Sequence, residues 1–479
     1  MKQLPRLSQA IVNSYPILNG EKLQSLLKKA VAGDPHKIIV LDDDPTGTQT
    51  VHDISVYTDW SYESISRGFR EDQKAFYILT NSRSFTEDKT RKAHREIAAM
   101  IARVAKEQQQ RYLIVSRSDS TLRGHYPLET RILQEEWERE AGRKADGEII
   151  CPYFKEGGRF TIDNIHYVQD GDELVPAGET EFSKDKTFGY QSSDLTAYIE
   201  EKSKGLFKQA DVVTISLQEL RALKIEEIAG KLMNIHNFGK VVVNAVDACD
   251  IQVFCLALYK VLAQGKYFLF RTAAGFVKEL CAIGDKDLLT RTEMLTSQST
   301  AGGIIVVGSH TRKTTSQLEQ LRELEGIHFI EFNSDLVLDE DRFQQEIASV
   351  VKREEALLAK GDTVVVCTKR KLLTFEKDSQ EEALERSVKI SDAVQSLVGK
   401  LAVAPAFVVA KGGITSSDIG TKALQIKRAN VLGQIRPGIP VWETGQESKF
   451  PRIPYIIFPG NVGEKNTLKE VVETLLGKS

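Results

Sequence analysis

The sequence predicts an α/β protein built as two domains, each a mostly parallel sheet flanked by helices. Three observations carry this reading. The chain has 479 residues, beyond the roughly 250–300 at which a single hydrophobic core stops growing. Short apolar, β-branched runs alternate with longer amphipathic segments, the order that builds parallel strands with helical crossovers. The runs are also continuously apolar, as expected of strands covered on both faces.

Taken in order, residues 1–36 predict one or two short helices packed on the first domain. Strands follow at 37–42, 75–80, 111–116, 211–216, 240–245 and 267–272, with a helical segment at 87–110. The polar run 287–303 ends in Gly302-Gly303 and reads as the connection between domains. A second series of strands occupies 303–308, 327–332, 362–368, 406–411 and 455–460. Between its first two strands, Leu318, Leu321 and Leu324 recur at helical spacing, and Gly326 is placed to end that helix. The expected division is therefore 1–300, with 1–36 as a helical extension, and 301–479. The chain shows no internal repeat and no low-complexity tract.

Composition narrows the function classes. A net charge of -3 argues against a broad nucleic-acid surface. The five cysteines (Cys151, Cys249, Cys255, Cys281, Cys367) are odd in number and scattered, so they suggest neither a disulfide framework nor a structural zinc site. A reducing cytoplasm fits this usage. The first twenty residues lack the apolar core of a signal peptide, and no stretch approaches the ~20 apolar residues that span a bilayer.

Ligands of open α/β sheets sit beyond the carboxyl ends of the strands, and several strand ends here are polar or glycine-rich. The first reads Asp42-Asp43-Asp44-Pro45-Thr46-Gly47-Thr48. Pro45 and Gly47 imply a tight turn, and three adjacent charges there need solvent, cations or donors. One carboxylate could take a proton from a substrate hydroxyl and another could help hold Mg²⁺; the plainer alternative is a solvated acidic turn that caps the next segment. The second, 116–129, crowds Arg117, Asp119, Ser120, Thr121, Arg123 and His125 into one loop. Arginine forks with hydroxyls suit a small carboxylic acid, although a helix cap beside a surface arginine gives the same letters. The third, 151–171, sets Gly157-Gly158 beside Arg159, Thr161 and His166. A lone histidine of this kind is more often a hydrogen-bonded structural residue than a base.

Three glycine turns follow in the second half: Gly308-Ser309, Gly412-Gly413-Ile414-Thr415-Ser416, and Gly460-Asn461-Val462-Gly463. Backbone N–H groups at helix starts attract phosphate, and glycines let the backbone approach it. Neither the Walker A pattern nor GxGxxG is present. Each turn alone is a weak signal, but three at strand ends of one domain favour a nucleotide-phosphate site.

These stretches, in this order and over nearly the whole chain, resemble the four-carbon acid sugar kinase family. The family's Asp-Asp-x-Thr-Gly is matched by Asp43–Gly47, its Asp-Ser-Thr-x-Arg-Gly by Asp119–Gly124, and its Gly-Arg-x-Thr by Gly158–Thr161. Its Gly-Ser turn, Gly-Gly-x-Thr-Ser loop and Gly-Asn-x-Gly turn are matched at Gly308, Gly412 and Gly460. Two departures stand out: Arg117 replaces a lysine common before Asp-Ser-Thr, and Asn164–Val168 replaces Gly-His-Leu-Tyr-Val.

The resemblance implies a sugar-acid domain followed by an ATP domain, meeting at a cleft that closes for transfer of the γ-phosphoryl group to a terminal hydroxyl of a tetronate or 3-oxo-tetronate. It implies ATP and Mg²⁺ as cofactors, with metal ligands unassigned. Asp44, or failing that Asp43, would orient and deprotonate the hydroxyl. The acid would meet Asp119, Ser120, Arg123, Arg117, Arg159, Thr161 and His166. The nucleotide would meet Ser309, Gly412, Gly413, Ile414, Thr415, Ser416, Gly460 and Asn461. The expected partner is a small sugar acid, with no nucleic acid or membrane, and with room for a homodimer. Two rival readings are a nucleotide- or sugar-acid-binding regulator without turnover, and an oxidoreductase or isomerase of sugar-acid phosphates.

Overall fold

The computed structural model describes residues 4–295, 299–370, 373, 380–460 and 462–478. The chain forms two compact units. One comprises Met1–Val51 and Asp59–Asp285, the other His52–Thr58 and Lys286–Ser479.

The sheet of the first unit has the strand order Val213–Ile215, Gly239–Val243, Gly147–Cys151, Phe268–Thr272, Arg111–Arg117, His36–Asp42, Ala75–Leu79. Every pairing is parallel. Their side chains are buried almost throughout, Ile38, Ile39 and Val40 completely, which is why the runs are apolar at successive rather than alternate positions. Register aligns the carboxyl ends: Asp42 lies opposite Arg117 and Leu79, and Arg117 opposite Thr272.

Helices cover this sheet, most of them through one apolar stripe. Glu87–Glu107 buries Ala93, Ile97, Ile101 and Val104, and Thr86 caps it by accepting from Lys89 N. Gly20–Gly33 buries Leu23, Leu27 and Val31, the helical extension expected before residue 36. Ala248–Leu262 is buried nearly all round. The segment after Cys151 is a small antiparallel sheet, in which Arg159–Ile162, Ile165–Asp170 and Glu173–Pro176 pair in sequence and Leu7–Ser8 joins the last.

The second unit's sheet runs Ile54–Tyr57, Arg428–Arg436, Ile439–Thr444, Pro454–Phe458, Val408–Lys411, Ile304–Val307, Thr363–Thr368, Ile327–Phe332. The first four strands pair antiparallel and the remainder parallel. The polar run read as the connection between domains contributes Leu289 and Met294 to this unit's core, beside Val307, Val409, Ile435 and Phe458. Its few apolar side chains, rather than its overall polarity, decide where it packs.

Candidate functional site

After Asp42 the chain turns through Asp43 and Asp44 into a single turn of 3-10 helix, Pro45–Thr48. Asp44 caps that turn, its Oδ1 accepting from Thr46 N at 2.8 Å. Gly47 is obligatory, because a Cβ there would lie 2.0 Å from Asp42 Oδ2.

Three carboxylates so close to the core need positive charge, and arginines supply it. Arg117 Nη1 is 3.1 Å from Asp42 Oδ1 and 3.4 Å from Asp43 Oδ1. Arg83 Nη2 donates to Asp43 Oδ1 at 2.7 Å, and its Nη1 is 3.4 Å from Asp44 Oδ2. Burial pushes Asp42 up to about 7 against the pull of Arg117, and it raises Asp43 as well. Burial also acts to raise Asp44, but Arg83 and the Thr46 hydrogen bonds outweigh it and hold the group below its ordinary value. Of the three side chains, Asp44 is 17% exposed and Asp42 and Asp43 no more than 3%, so Asp44 is the one a solute can reach.

The loop after Arg117 adds a second layer. Asp119 accepts from Arg123 Nε at 2.7 Å and from the Thr121 hydroxyl. Burial opposes its ionisation, yet Arg83 and Arg123 hold it far below the usual carboxylate range. Ser120 lies in the same loop, nearly buried. Its carbonyl accepts from His166 Nε2 at 2.7 Å, while His166 Nδ1 faces the Thr161 hydroxyl at 3.0 Å. Burial lowers His166 to about 4, so the structure places Thr161 and His166 as a neutral brace beneath the loop.

Arg159 is different. It lies against the Phe182 ring together with Arg123, their guanidinium carbons 5.7 and 5.0 Å from its centroid. Among the described residues it forms no ion pair, and its Nε is buried without a hydrogen-bond partner. Burial lowers its pKa. The opposite charge acting on Arg159 is Asp119, a carboxylate already shared by Arg123 and Arg83.

Sequence reasoning missed three contributors. Arg83 follows the strand Ala75–Leu79 in a short polar 3-10 turn, Ser82–Ser84. Arg271 sits at the end of an apolar strand, its Nη2 3.3 Å from the Arg123 carbonyl and its guanidinium 4.9 Å from the Tyr126 ring. Glu129 is buried, accepts from Ser82 Oγ at 2.7 Å, and lies 3.9 Å from Arg271 Nη1. For Arg271 the available signal was a charged residue at the carboxyl end of an apolar run; Arg83 lies in the turn beyond its strand and Glu129 in the first turn of a helix, where no such signal exists.

In the second unit, Val307, Lys411 and Phe458 form one row at the ends of adjacent parallel strands, and each strand runs into glycine. The turns converge on Ser309. A Cβ on Gly412 would be 3.2 Å from Ser309 Cβ, one on Gly460 3.3 Å from Ser309 Oγ, and one on Gly308 2.2 Å from Thr415 Oγ1. Gly412 has φ +123°, a conformation open to glycine and costly for other residues. Thr311 caps the helix Arg312–Leu321, and Thr314 Oγ1 donates to Ser309 Oγ at 3.0 Å.

The helix Gly413–Asp418 begins with Ser416 N donating to Gly412 O at 2.8 Å, so the N–H groups of Gly413, Ile414 and Thr415 precede its first intrahelical bond. The Ser416 hydroxyl turns back to the Ala410 carbonyl at 3.0 Å, whereas the Ile414 side chain is exposed. Asn461 lies outside the described residues. Backbone N–H groups at a helix start thus come together with glycine turns and the Ser309 and Thr415 hydroxyls, groups whose chemistry suits a phosphate. Among the described residues no three His, Cys, Asp or Glu side chains are grouped to hold a metal ion, and Arg83 and Arg117 occupy the acidic turn where a Mg²⁺ ligand was considered.

Residues 38–280 match the model of a sugar-binding N-terminal domain, and residues 304–468 that of a nucleotide-binding C-terminal domain. The fold is similar to that of a Haemophilus influenzae protein from a domain-of-unknown-function family, at 17% identity over 91% of this chain and 100% of that one, with a TM-score of 0.61. It is also similar to a Salmonella typhimurium LT2 protein bearing a provisional tRNA synthase name, at 15% identity over 90% and 98% of the two chains, with a TM-score of 0.66. At these identities the likeness is one of fold. No curated protein matches the chain. No helix among the described residues is long and apolar enough to cross a membrane.

Proposed function

The chain belongs to the four-carbon acid sugar kinase family, and from that premise we propose that it transfers the γ-phosphoryl group of ATP to a terminal hydroxyl of a tetronate or 3-oxo-tetronate. The observation that carries the acid half of this reading is Arg159, a guanidinium beside Arg123 that forms no ion pair among the described residues and has a buried Nε without a hydrogen-bond partner. A small carboxylate completes it, and the planar fork of arginine suits two-point recognition. Asp44, reachable and ionised, receives the acceptor hydroxyl and orients it. Phosphoryl transfer asks for alignment and charge neutralisation more than for a strong base, so a carboxylate held below its ordinary pKa serves. Asp43 fixes Arg83, and Arg83 in turn fixes Asp44 and Asp119.

The Gly308, Gly412 and Gly460 turns hold the phosphates through backbone N–H groups, with Ser309 and Thr415 hydroxyls beside them. A side chain at any of these glycines would press on Ser309 or Thr415. The residues do not fit a metal bound by the protein alone, and no step here runs through Mg²⁺. The protein would act in the cytoplasm, on a small acid, without nucleic acid or membrane.

A coupled ADP-release assay over tetronates and 3-oxo-tetronates tests the proposal, with Asp44→Asn as the control. ADP formed with one class of acid, lost in Asp44→Asn while nucleotide binding persists, supports it. Tight acid binding without turnover in the native chain supports the regulator instead.

A further inference from the structure

Lys411 ends the strand Val408–Lys411, immediately before Gly412. Its side chain is completely buried. Nζ donates to the Pro459 carbonyl at 2.7 Å and stands 3.8 Å from the centroid of the Phe458 ring. Lys411 thus ties together two of the glycine turns, for Pro459 directly precedes Gly460.

Among the described residues no carboxylate pairs with Lys411. The helix Arg312–Leu321 offers Lys313, of the same sign. The strands Ile304–Val307 and Pro454–Phe458 bring no acidic group. His310, beyond the first of these strands, is engaged with the Thr368 hydroxyl and the Lys369 carbonyl. Asp418, at the end of the helix after Gly412, is taken up by Lys422 and Ser391. Burial, with Lys313 adding to it, brings the amine down to about 6. A buried ammonium without an anion is costly, so the group either sheds its proton or acquires a partner.

Resting on the nucleotide-site reading above, we propose that Lys411 is the charge partner of the nucleotide's phosphates, parked on the Pro459 carbonyl until they arrive and protonated from solvent as they bind. The phosphates supply the negative charge that the fold withholds. The sign of the linkage follows. Binding favours the protonated amine, so nucleotide affinity falls as pH rises above 6, by up to about tenfold per unit, until the pKa of the bound state is passed. The proton comes from solvent and no covalent bond changes.

Calorimetry with ADP at pH 7.5, in two buffers of different ionisation enthalpy, reads the proton directly. The proposal expects uptake of about one proton per ADP bound by the native chain. It also expects Lys411→Met to lose that uptake, to bind ADP at least about tenfold more weakly near pH 7, and to lose the pH slope. ADP binding by the native chain without proton uptake overturns the proposal, whether or not Lys411→Met folds. Gly308→Val separates the two readings: if it binds ADP as well as the native chain does, the phosphate cradle is misplaced and the role of Lys411 falls with it.

Discussion

Arg83 grips Asp43 with two prongs, Nη2 at 2.7 Å from Oδ1 and Nε at 3.2 Å from Oδ2. The same guanidinium reaches Asp44 and Asp119, so one side chain neutralises carboxylates from two separate loops. Its removal leaves Asp43 buried and only partly compensated by Arg117. Arg83→Met is expected to destabilise the protein by about 3–5 kcal/mol, the cost of breaking a buried ion pair by deleting one partner. Denaturant unfolding measures it. Arg83→Lys keeps the charge but not the fork and should recover only part of the loss; full recovery would mean that the two-pronged geometry is unimportant.

The contact between Gly308 and Thr415 gives a test by compensation. A methyl at position 308 meets Thr415 Oγ1 at 2.2 Å, so Gly308→Ala should cost about 1–3 kcal/mol by overpacking. Thr415→Ala in the same chain removes the opposing oxygen and should restore most of it. Thermal unfolding of the single and double variants checks this; equal losses in both would show that the turns do not touch as described.

Glu354, on the helix Glu340–Leu358, is buried with both carboxyl oxygens unpartnered. Burial, and then Glu355, raises it from 4.5 to about 8. The folded state therefore holds this proton more tightly than the unfolded state. Stability falls as pH rises from 4.5 to 8, by at most about 1.4 kcal/mol per unit. Glu354→Gln should melt above the native protein at pH 8 and show a smaller advantage, or none, at pH 5. The same difference at both pH values would contradict the assignment.

Arg159→Met should weaken acid binding by about ten- to a hundredfold, the loss of a hydrogen bond to a charged group. The effect belongs in KM for the acid, with the KM for ATP unchanged. Acid kinetics at fixed ATP read it, and an unchanged acid KM would move the carboxylate elsewhere.

What the sequence allowed one to read depended on the range of the interaction. His36–Asp42 and Arg111–Arg117 are continuous apolar runs buried on both faces, and a local window suffices to find them. Ile54–Tyr57 is four residues long, and its partner is Arg428–Val431, so nothing nearby marks it as a strand of the second unit. Arg428–Arg436 alternates buried and half-buried positions around Gly433, and Ile439–Thr444 contains Pro440; neither is a continuous apolar run, and neither is among the strands expected from the sequence. The site was legible as separate loops because Asp, Arg and Gly cluster after strands. Its wiring was not: Arg83, Asp43 and Asp119 come from three different strand ends and become neighbours only when the sheet sets its register.

The proposed reaction moves the γ-phosphoryl group of ATP to the terminal hydroxyl oxygen of a four-carbon acid. Phosphorus NMR of the native chain incubated with ATP, Mg²⁺ and each candidate acid tests it most directly. The expected result is a new phosphomonoester signal coupled to the terminal methylene protons of one acid, growing in step with ADP and absent with Asp44→Asn. ATP left intact with every tetronate and 3-oxo-tetronate, or converted only to ADP and inorganic phosphate, would contradict it.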